Sequence, residues 1–175
     1  MALCEKVLIA GFTAAGKTSL LQALKAQSPE AWDHFDDLDQ LVLKNRGRGF
    51  KSVAELIAAR GWETFRLYER QEFEGWIKTE GKGVLALGGG TLTPQLFELF
   101  GNHRKLKFVH LYVPFHEAWD RLQITSEVRP LLSLGRLELE NIYQERMKVF
   151  ERILWKLDGT SNLSNLARDF WKHLA

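Results

Sequence analysis

The sequence has little of several features that would point to particular classes of protein. It contains a single cysteine, Cys4, which cannot form an internal disulfide, so a reducing compartment such as the cytoplasm is expected. The five histidines do not fall at metal-ligand spacings with Cys4 or with one another. No apolar run approaches the roughly 18 residues that a membrane span needs. The strand-like segment that begins at Lys6 also leaves no room for a signal peptide, so neither export nor membrane insertion is expected.

The chain also lacks a strong charge of one sign. Its formal net charge is +2, and the lysines and arginines are spread along the sequence, so no basic arm points to nucleic acid or to an anionic membrane. With 175 residues, of which 45% are hydrophobic and 26% charged, the composition is that of an ordinary globular protein. We therefore expect one monomeric domain over residues 1–175.

Strand-like and helix-like segments alternate along the chain, which is typical of a parallel sheet covered by helices on both faces. Short apolar runs predict a weaker strand that ends near Phe35 and clear strands at 7–10, 84–87 and 108–113. Apolar periodicity predicts helices that begin at Thr18 and about 115 and that span 38–46, 52–60, about 63–78, 94–100, about 138–156 and 163–174. The residues between about 125 and 135 are expected to form a loop.

A glycine-rich sequence lies between the first predicted strand and the first predicted helix. Residues Gly11-Phe12-Thr13-Ala14-Ala15-Gly16-Lys17-Thr18 fit the pattern Gly-x-x-x-x-Gly-Lys-Thr, in which backbone N–H groups and a helix N-terminus converge on phosphate oxygens. Lys17 would reach the β- and γ-phosphates, and the Thr18 hydroxyl would ligate Mg²⁺. An ordinary glycine turn is the alternative, and the strand-then-helix context disfavours it. The loop predicts ATP·Mg²⁺ as the phosphoryl donor but does not identify the acceptor.

Two acidic residues, Asp37 and Asp39, follow the second predicted strand. Because they are two positions apart, both carboxylates would face the same side of an extended chain and share one site. A kinase with this loop needs a second group for Mg²⁺ and a carboxylate that orients the acceptor hydroxyl or accepts its proton. Acidic runs are also common in solvated loops, and this alternative stays open at the level of the sequence.

Two predicted helices carry an arginine on or near their apolar stripe. On the helix from about Glu63, Arg66 lies at the edge of the stripe, three residues before Glu69, and is placed to pair with it. On the helix from about Glu138, Arg146 lies near the centre of the stripe. A guanidinium turned toward the core needs an anionic partner, which is either a structural carboxylate or a ligand's carboxylate or phosphate. In a protein with a phosphate-binding loop, the two arginines together favour an anionic substrate.

Two further segments lie where a ligand is expected. The triplet Gly88-Gly89-Gly90 follows a predicted strand at the edge where open parallel sheets bind ligands, and its backbone N–H groups can approach a ligand closely. Arg129 lies in the loop-like region, where a lid over about residues 123–135 would bring a cation over the phosphates. A flexible turn at the glycines and an ordinary surface loop at Arg129 are the alternatives.

Taken in order, these motifs resemble those of the shikimate kinases over nearly the whole chain. Residues 11–18 resemble that family's ATP site, Asp37-Leu38-Asp39 its Asp-x-Asp motif, and residues 61–69 its Gly-Glu-x-x-Phe-Arg-x-x-Glu motif. The glycine triplet and Arg129-Pro130-Leu131-Leu132 are similar to its later signatures. The resemblance implies a three-layer α/β P-loop kinase fold of the nucleoside-monophosphate-kinase type, with a five-stranded parallel sheet flanked by helices.

The resemblance also implies an activity, which is ATP-dependent phosphorylation of the shikimate 3-hydroxyl in aromatic amino-acid biosynthesis. It assigns catalysis to Lys17, Asp39 and Arg129, and it assigns Mg²⁺ to Thr18 and Asp37. It assigns ATP to the loop and the lid arginine, namely Gly11, Ala14, Ala15, Gly16, Lys17, Thr18, Ser19 and Arg129. It assigns shikimate to Asp39, Arg66, Gly88, Gly89, Gly90 and Arg146, with the two arginines on the carboxylate and Glu69 supporting Arg66.

The sequence departs from the family pattern in several places. Ala14 stands where the family usually has glycine, and we expect this residue to require a φ below zero. Trp62 stands where the motif has glutamate, the segment before Arg129 carries no basic residue, and Phe150 replaces a common tyrosine. Two alternatives therefore remain. One is a kinase for another acceptor such as gluconate or a nucleotide, and the other is a catalytically weak relative that binds nucleotide or a shikimate-like ligand for regulation.

Overall fold

A β-sheet forms the centre of the computed structural model, which describes residues 6–124 and 130–174. Its five strands are β1 (Lys6–Ala10), β2 (Trp32–Asp37), β3 (Lys82–Ala86), β4 (Leu106–Tyr112) and β5 (Trp155–Asp158). They lie in the spatial order β2-β3-β1-β4-β5, and every neighbouring pair is parallel. The five-stranded parallel sheet that the resemblance implies is confirmed.

Helices flank this sheet, because two parallel strands can be joined only by a crossover connection. They are α1 (Lys17–Ala26), α2 (Leu38–Arg46), α3 (Val53–Arg60), α4 (Trp62–Ile77), α5 (Pro94–Phe100), α6 (Phe115–Ile124), α7 (Arg136–Phe150) and α8 (Leu163–Leu174). A short 3₁₀ helix, Pro130–Leu134, precedes α7. In the described part of the chain, every helix is too short or too polar to cross a lipid bilayer.

The central strand β1 shows why the sheet is covered on both faces. Val7, Leu8 and Ile9 are all fully buried, although successive side chains of a strand point to opposite faces. Val7 pairs with Val84 of β3 on one side and with Lys107 of β4 on the other. The strands predicted at 7–10, 84–87 and 108–113 are confirmed with small shifts at their ends, and the weaker second strand runs on to Asp37.

Helices α2, α3 and α4 pack against one another and form a unit of their own beside the sheet. Their interior is a small apolar cluster of Val42, Leu56, Ile57 and Phe65, which is separate from the main core. Because Phe65 anchors α4 in this cluster, the next residue, Arg66, starts from a fixed backbone. The three-helix unit therefore holds one wall of the site described below.

One predicted helix is wrong in its last part. The periodicity of the sequence predicts a helix to about residue 156, but α7 ends at Phe150, and after a turn the chain forms β5. Ile153 and Leu157 continue the apolar spacing of α7, which accounts for the error. In the fold, Ile153 is buried in the turn and Leu157 pairs with Leu111 of β4. Strand pairing satisfies the backbone of residues 155–158, and a local pattern cannot reveal that pairing.

All five strands point the same way, so their carboxyl ends meet at one edge of the sheet. The phosphate-binding loop leaves this edge after β1, Asp37 lies at the end of β2, and the glycine triplet follows β3. The topology therefore brings together segments that are far apart in the sequence.

Candidate active site

A cavity of about 920 Å³ lies at the carboxyl edge of the sheet. It is lined by most of the residues that the sequence singles out, namely Ala14, Ala15, Gly16, Lys17, Thr18, Ser19, Asp37, Asp39, Arg66, Gly88, Gly89, Gly90 and Arg146. Gly11 is not among the lining residues, but its carbonyl contacts Lys17. Arg129 and part of the predicted lid lie outside the described residues. The fold thus gathers five separate sequence segments around one space.

The phosphate-binding loop turns into α1 at Gly16. This residue has φ +95°, a conformation that glycine adopts without steric cost, and α1 begins at the next residue, Lys17. The Lys17 ammonium donates hydrogen bonds to the carbonyl oxygens of Gly11 (2.9 Å) and Phe12 (2.8 Å). The lysine therefore lies across its own loop, with its charge at the place where the loop would receive phosphate.

Ala14 corrects an expectation from the sequence. Its φ is +59°, in the left-handed region, and not below zero as expected. For a residue with a Cβ this conformation costs roughly 1–2 kcal/mol. The turn is held from outside, because Arg121 Nη1 contacts the carbonyl oxygens of Ala14 (3.5 Å) and Ala15 (3.2 Å). The loop keeps the shape that glycine would give it, at some cost in strain.

Arg121 is a site residue that the sequence reasoning missed. Its Nη2 also donates to the carbonyl oxygen of Gly159 at 3.0 Å, so one side chain joins the phosphate-binding loop to the loop that follows β5. It lines the cavity beside Gly16. Its hydrogen bonds go to backbone carbonyls about 38 and 106 residues away, and its one local contact is an ordinary i,i+4 ion pair with Glu117 at 3.9 Å, so no motif marks it as a site residue. The sequence offered one indication that Arg121 belongs to the site, namely that its helix directly precedes the predicted lid.

Asp37 and Asp39 do not share one face of an extended chain, and that part of the prediction is wrong. Asp37 ends β2 and caps α2, where its Oδ1 accepts hydrogen bonds from the N–H groups of Asp39 (3.0 Å) and Gln40 (3.3 Å). Asp39 therefore lies in the first turn of a helix. Both carboxylates still line the cavity. The Thr18 hydroxyl donates to Asp37 Oδ2 at 2.7 Å, so the two predicted Mg²⁺ ligands lie side by side.

The carboxylate of Asp39 is electrostatically strained. Burial raises its pKa to about 7, and the negative charges of Glu69 and Asp37 add to this effect, while Lys17 and Arg66 oppose it. Its Oδ1 is buried and has no hydrogen-bond partner among the described residues. A carboxyl group with a pKa near neutrality is suited to proton transfer at physiological pH.

Arg66 forms the ion pair that the sequence predicts. Its Nη1 donates a hydrogen bond to Glu69 Oε2, and the Glu69 side chain is only 3% exposed. The hydroxyl of Thr91 donates to the other carboxylate oxygen at 2.6 Å. Glu69 is thus a buried carboxylate with both oxygens occupied, and it fixes the position of Arg66.

Arg146 differs from Arg66 in that no carboxylate of the described residues pairs with it. Its Nη1 is buried without a hydrogen-bond partner, and among the described residues no carboxylate forms a salt bridge with it. Burial lowers the pKa of Arg146 to about 10, and the positive charge of Arg66 adds to this effect, while Glu69 opposes it. The guanidinium lies over the ring of Phe12, with Cζ 5.3 Å from the ring centroid. A half-buried guanidinium with one buried, unpaired nitrogen favours an anionic ligand over a structural ion pair.

The glycine triplet lies between the arginines and the acidic residues. A Cβ at Gly90 would lie 2.5 Å from Arg66 Nη2 and 2.9 Å from Arg146 Nη2. At Gly88 it would lie 2.6 Å from Glu69 Oε1 and 2.7 Å from Asp39 Oδ1. Any side chain at either position would collide with the charged groups. The two guanidinium groups therefore converge on Gly90, and one small anion placed there can contact both.

Among the described residues that line this cavity there is no histidine or cysteine, so they offer a metal oxygen donors. In the parts of the chain that are described, no group of three or more histidine, cysteine, aspartate or glutamate side chains is arranged to hold a metal. The Thr18 hydroxyl and the Asp37 carboxylate are hard oxygen ligands in contact with each other. They fit Mg²⁺, which usually takes one or two protein ligands and completes its shell with water and phosphate oxygens.

Comparison with known proteins extends the evidence from the site to the whole chain. A sequence model described as shikimate kinase matches residues 13–174. The shikimate kinase of Dictyoglomus turgidum is 30% identical over 149 residues, which cover 81% of this chain and 79% of the relative. The bifunctional shikimate kinase/3-dehydroquinate synthase of Thermotoga maritima is 27% identical over 83% of this chain, which spans only 27% of that longer protein.

A solved structure shows the same fold. The shikimate kinase of Acinetobacter baumannii, solved in complex with shikimate, superposes with a TM-score of 0.81 at 20% identity, over 99% of this chain and 94% of that one. At this identity the likeness concerns the P-loop kinase fold alone. The family model and the Dictyoglomus relative carry the assignment further, and together they show that the chain belongs to the shikimate kinase family.

Proposed function

We propose that the protein transfers the γ-phosphoryl group of ATP to the 3-hydroxyl of shikimate, giving shikimate 3-phosphate and ADP. The observation that carries this proposal is the pair of guanidinium groups at Gly90, beside a carboxyl group whose pKa is about 7; one of the pair, Arg146, has a buried Nη1 with no hydrogen-bond partner among the described residues. An acceptor with a carboxylate and a hydroxyl a few ångströms apart can bind to the guanidinium groups through its carboxylate and to Asp39 through its hydroxyl. Membership of the shikimate kinase family and the shikimate in the Acinetobacter structure support shikimate as that acceptor.

On the donor side, the chain binds and neutralises the triphosphate. The loop N–H groups and the N-terminus of α1 receive the phosphate oxygens. Lys17 exchanges its bonds with the Gly11 and Phe12 carbonyls for bonds with the β- and γ-phosphates. Thr18 and Asp37 would hold Mg²⁺, which when bound neutralises charge on the β- and γ-phosphates. Arg129 is proposed as the lid cation, by analogy with the family.

On the acceptor side, Arg66 and Arg146 take the shikimate carboxylate, with charge-assisted hydrogen bonds from both. Glu69 keeps Arg66 in place, and the glycine triplet leaves room for the substrate ring. Asp39 orients the hydroxyl toward the γ-phosphate and accepts its proton as the oxygen–phosphorus bond forms. Holding the two reactants in this geometry supplies much of the rate enhancement.

Several finer features remain predictions of ours. They are the single domain over residues 1–175, the monomeric state, the cytoplasmic location and the need for Mg²⁺.

Two other functions compete with the proposal. A gluconate kinase would use the same two arginines for a carboxylate, and a regulatory binding protein would keep the site without turnover. The strain at Ala14 is the observation that favours the latter.

A coupled ADP-release assay separates the three functions. The purified protein is given Mg·ATP with shikimate, gluconate or a nucleoside monophosphate, and ADP formation is followed at each acceptor concentration. We expect turnover with shikimate to be far faster than with the other acceptors. Folded protein that binds ATP but releases no ADP with shikimate would contradict the proposal. Faster turnover with gluconate would support the competing kinase.

A further inference from the structure

The indole of Trp62 lines the acceptor side of the cavity although no part of the proposed mechanism uses it. Trp62 is the first residue of α4, directly after Gly61, which has φ +81° and turns the chain into the helix. Trp62 is 40% exposed, a large fraction for a large, mainly apolar residue. It lines a concave space, which is the position of a ligand contact.

Trp62 touches the arginine that is proposed to bind the carboxylate. The Arg66 Cζ lies 5.2 Å from the centroid of the Trp62 ring, within the range of a cation–π contact. Trp62 also packs edge to face on Phe65, with ring centroids 6.1 Å apart. Phe65 belongs to the apolar cluster under α2, α3 and α4. The contact with Phe65 therefore fixes the indole on one side, and the indole also contacts Arg66 and lines the cavity.

Arg66 is consequently held from three sides. Glu69 accepts from Nη1, the Trp62 ring lies against the guanidinium, and Gly90 approaches Nη2 so closely that no side chain would fit. An ion pair fixes one end of a guanidinium but leaves its plane free to tilt. A ring against the guanidinium limits that tilt. Trp62 therefore contributes to the orientation of the donors that Arg66 directs into the cavity.

Trp62 is one of several apolar residues that line the cavity from α2, α3 and α4. The others are Leu43, Val53, Ala54, Ile57 and Phe65, and together with Trp62 they are called the apolar wall; Lys51 and Ser52, between α2 and α3, also line the cavity. The charged residues Asp39, Arg66 and Arg146 line the same cavity. A site with both apolar and charged lining suits a ring with an apolar face, since each part of the ligand then meets matching chemistry. An open-chain polyol has a hydroxyl on nearly every carbon, and it would lose hydration at the apolar wall without compensation.

We propose that Trp62 is a positioning and specificity-determining residue for the acceptor. Its ring orients Arg66 and forms part of the apolar wall on which a cyclic hydroxy acid packs, so the site takes a ring in preference to an open-chain hydroxy acid. This inference rests on the proposed function, because it concerns the same acceptor site. It also gives a structural reason for the chain to distinguish shikimate from gluconate, which the two arginines alone do not provide.

The test uses the full chain with Trp62→Ala, Trp62→Phe and a control, Leu67→Ala. Leu67 is a neighbouring exposed apolar residue of α4 that does not line the cavity. We expect Trp62→Ala to raise KM for shikimate about tenfold while kcat changes less than about threefold, because a lost cation–π contact and apolar contact weaken ground-state binding. Trp62→Phe should recover most of the affinity, and Leu67→Ala should match the wild type. The preference for shikimate over gluconate in kcat/KM should fall in Trp62→Ala.

Tryptophan fluorescence distinguishes a contact with the acceptor from a structural role, because a Trp62 with only a structural role would not change its emission when shikimate binds. Titration of shikimate without nucleotide should change the tryptophan emission of the wild type and of a Trp155→Phe control, whose indole lies on β5. The change should disappear in Trp62→Phe. Thermal unfolding of each variant confirms that the compared proteins are folded.

Two results overturn the inference, and they differ from each other. If the wild type turns over shikimate while Trp62→Ala keeps its KM and Trp62→Phe keeps the emission change, Trp62 is not part of the acceptor site and the proposed function stands. If the wild type neither binds nor phosphorylates shikimate, the proposed function fails and the inference falls with it.

Discussion

The two halves of the cavity differ in how their charged groups are satisfied. On the donor side, the Lys17 ammonium and the Arg121 guanidinium are bonded to backbone carbonyls of the loops around them, and the Thr18 hydroxyl is bonded to Asp37. On the acceptor side, Asp39 Oδ1 and Arg146 Nη1 are buried and have no hydrogen-bond partner within residues 6–124 and 130–174. The polar groups of the donor half are therefore bonded to one another, whereas the acceptor half carries charged atoms that the described part of the chain does not pair.

This difference indicates in which half of the cavity binding of a ligand gains more free energy. A donor that enters the loop must replace existing hydrogen bonds, so each new contact is offset by one that is lost. An acceptor that reaches Arg146 Nη1 satisfies a buried donor that no described residue satisfies, and the desolvation cost of that N–H group is recovered. We therefore expect substitutions on the acceptor side to affect binding and turnover strongly, and those on the donor loop to act partly through stability.

Asp39→Asn is expected to have the largest effect. The amide keeps the shape of the side chain but cannot accept the hydroxyl proton, so kcat should fall about 10²- to 10⁴-fold. The affinity for ATP should change by less than about threefold, because Asp39 is assigned to the acceptor. Steady-state kinetics with a separate nucleotide-binding titration measures both. An equal loss of ATP affinity would place Asp39 in the donor half.

Arg146→Leu tests the unpaired arginine. Loss of charge-assisted hydrogen bonds should weaken shikimate binding about 10- to 150-fold. Stability should be preserved or raised, because a half-buried cation whose buried Nη1 has no partner among the described residues is replaced by an apolar side chain. Calorimetric titration and thermal unfolding of the same preparation provide the two values. A marked loss of stability would instead indicate a structural ion pair.

Arg66→Leu is the matched counterpart on the paired arginine. It leaves the buried Glu69 carboxylate with the Thr91 hydroxyl as its remaining side-chain partner among the described residues, and we expect a loss of about 2 kcal/mol in unfolding free energy. This value lies below that for a fully buried pair, since Arg66 is 38% exposed. Urea denaturation beside Arg146→Leu measures the contrast. Equal stability of the two variants would remove the distinction between the arginines.

His110 allows a comparison of stability with pH. It is 2% exposed on β4, and burial lowers its pKa from 6.5 to about 4, with Lys156 and Lys17 adding to the effect. The folded state therefore binds fewer protons than the unfolded state, and this contribution to stability is present above about pH 6.5 and is lost as the pH falls toward 4.

His110 alone should contribute a loss on the order of 1–2 kcal/mol between pH 7 and pH 5, whereas Asp39, whose pKa is raised to about 7, contributes in the opposite direction over the same range. The test is therefore the difference between proteins: in urea denaturation at several pH values, acid should destabilise His110→Phe less than the wild type by about this amount, with the exposed His116→Phe as the control for losing a histidine. A pH dependence identical to that of the wild type in His110→Phe would show that His110 does not carry the effect.

Ala14→Gly should have the smallest effect. Relief of the left-handed strain is partly offset by the greater entropy of glycine in the unfolded chain, so a gain of about 0.5–1 kcal/mol is expected. Thermal unfolding, with and without ATP, measures the gain and any change in nucleotide affinity. A loss of stability would mean that the Ala14 methyl packs more favourably than its φ suggests.

The donor half could be predicted from the sequence almost completely, because its residues are consecutive and its chemistry depends on local backbone geometry. Two errors arose where the fold decides the outcome. Ala14 was expected to avoid a positive φ, but Arg121 and the start of α1 hold the turn as it is. Arg121 itself contacts carbonyls that only the tertiary structure brings near it.

The acceptor half could be predicted only in part. Helical periodicity correctly placed Arg66 beside Glu69, and it identified Arg146 as an inward-facing cation. It could not show that both guanidinium groups meet at Gly90, since that depends on the packing of α4 and α7 around the loop after β3. The strand β5 was missed because four residues carry too short a pattern to override the apolar spacing of α7.

The most direct test of the central claim compares shikimate with its methyl ester, which keeps the ring and hydroxyls but has no negative charge. Calorimetric titration of the wild type should give binding of shikimate at least about tenfold tighter than that of the ester. In Arg146→Leu most of this difference should disappear. Equal binding of the acid and the ester by the wild type would contradict the account, because the arginines would then not be a carboxylate site.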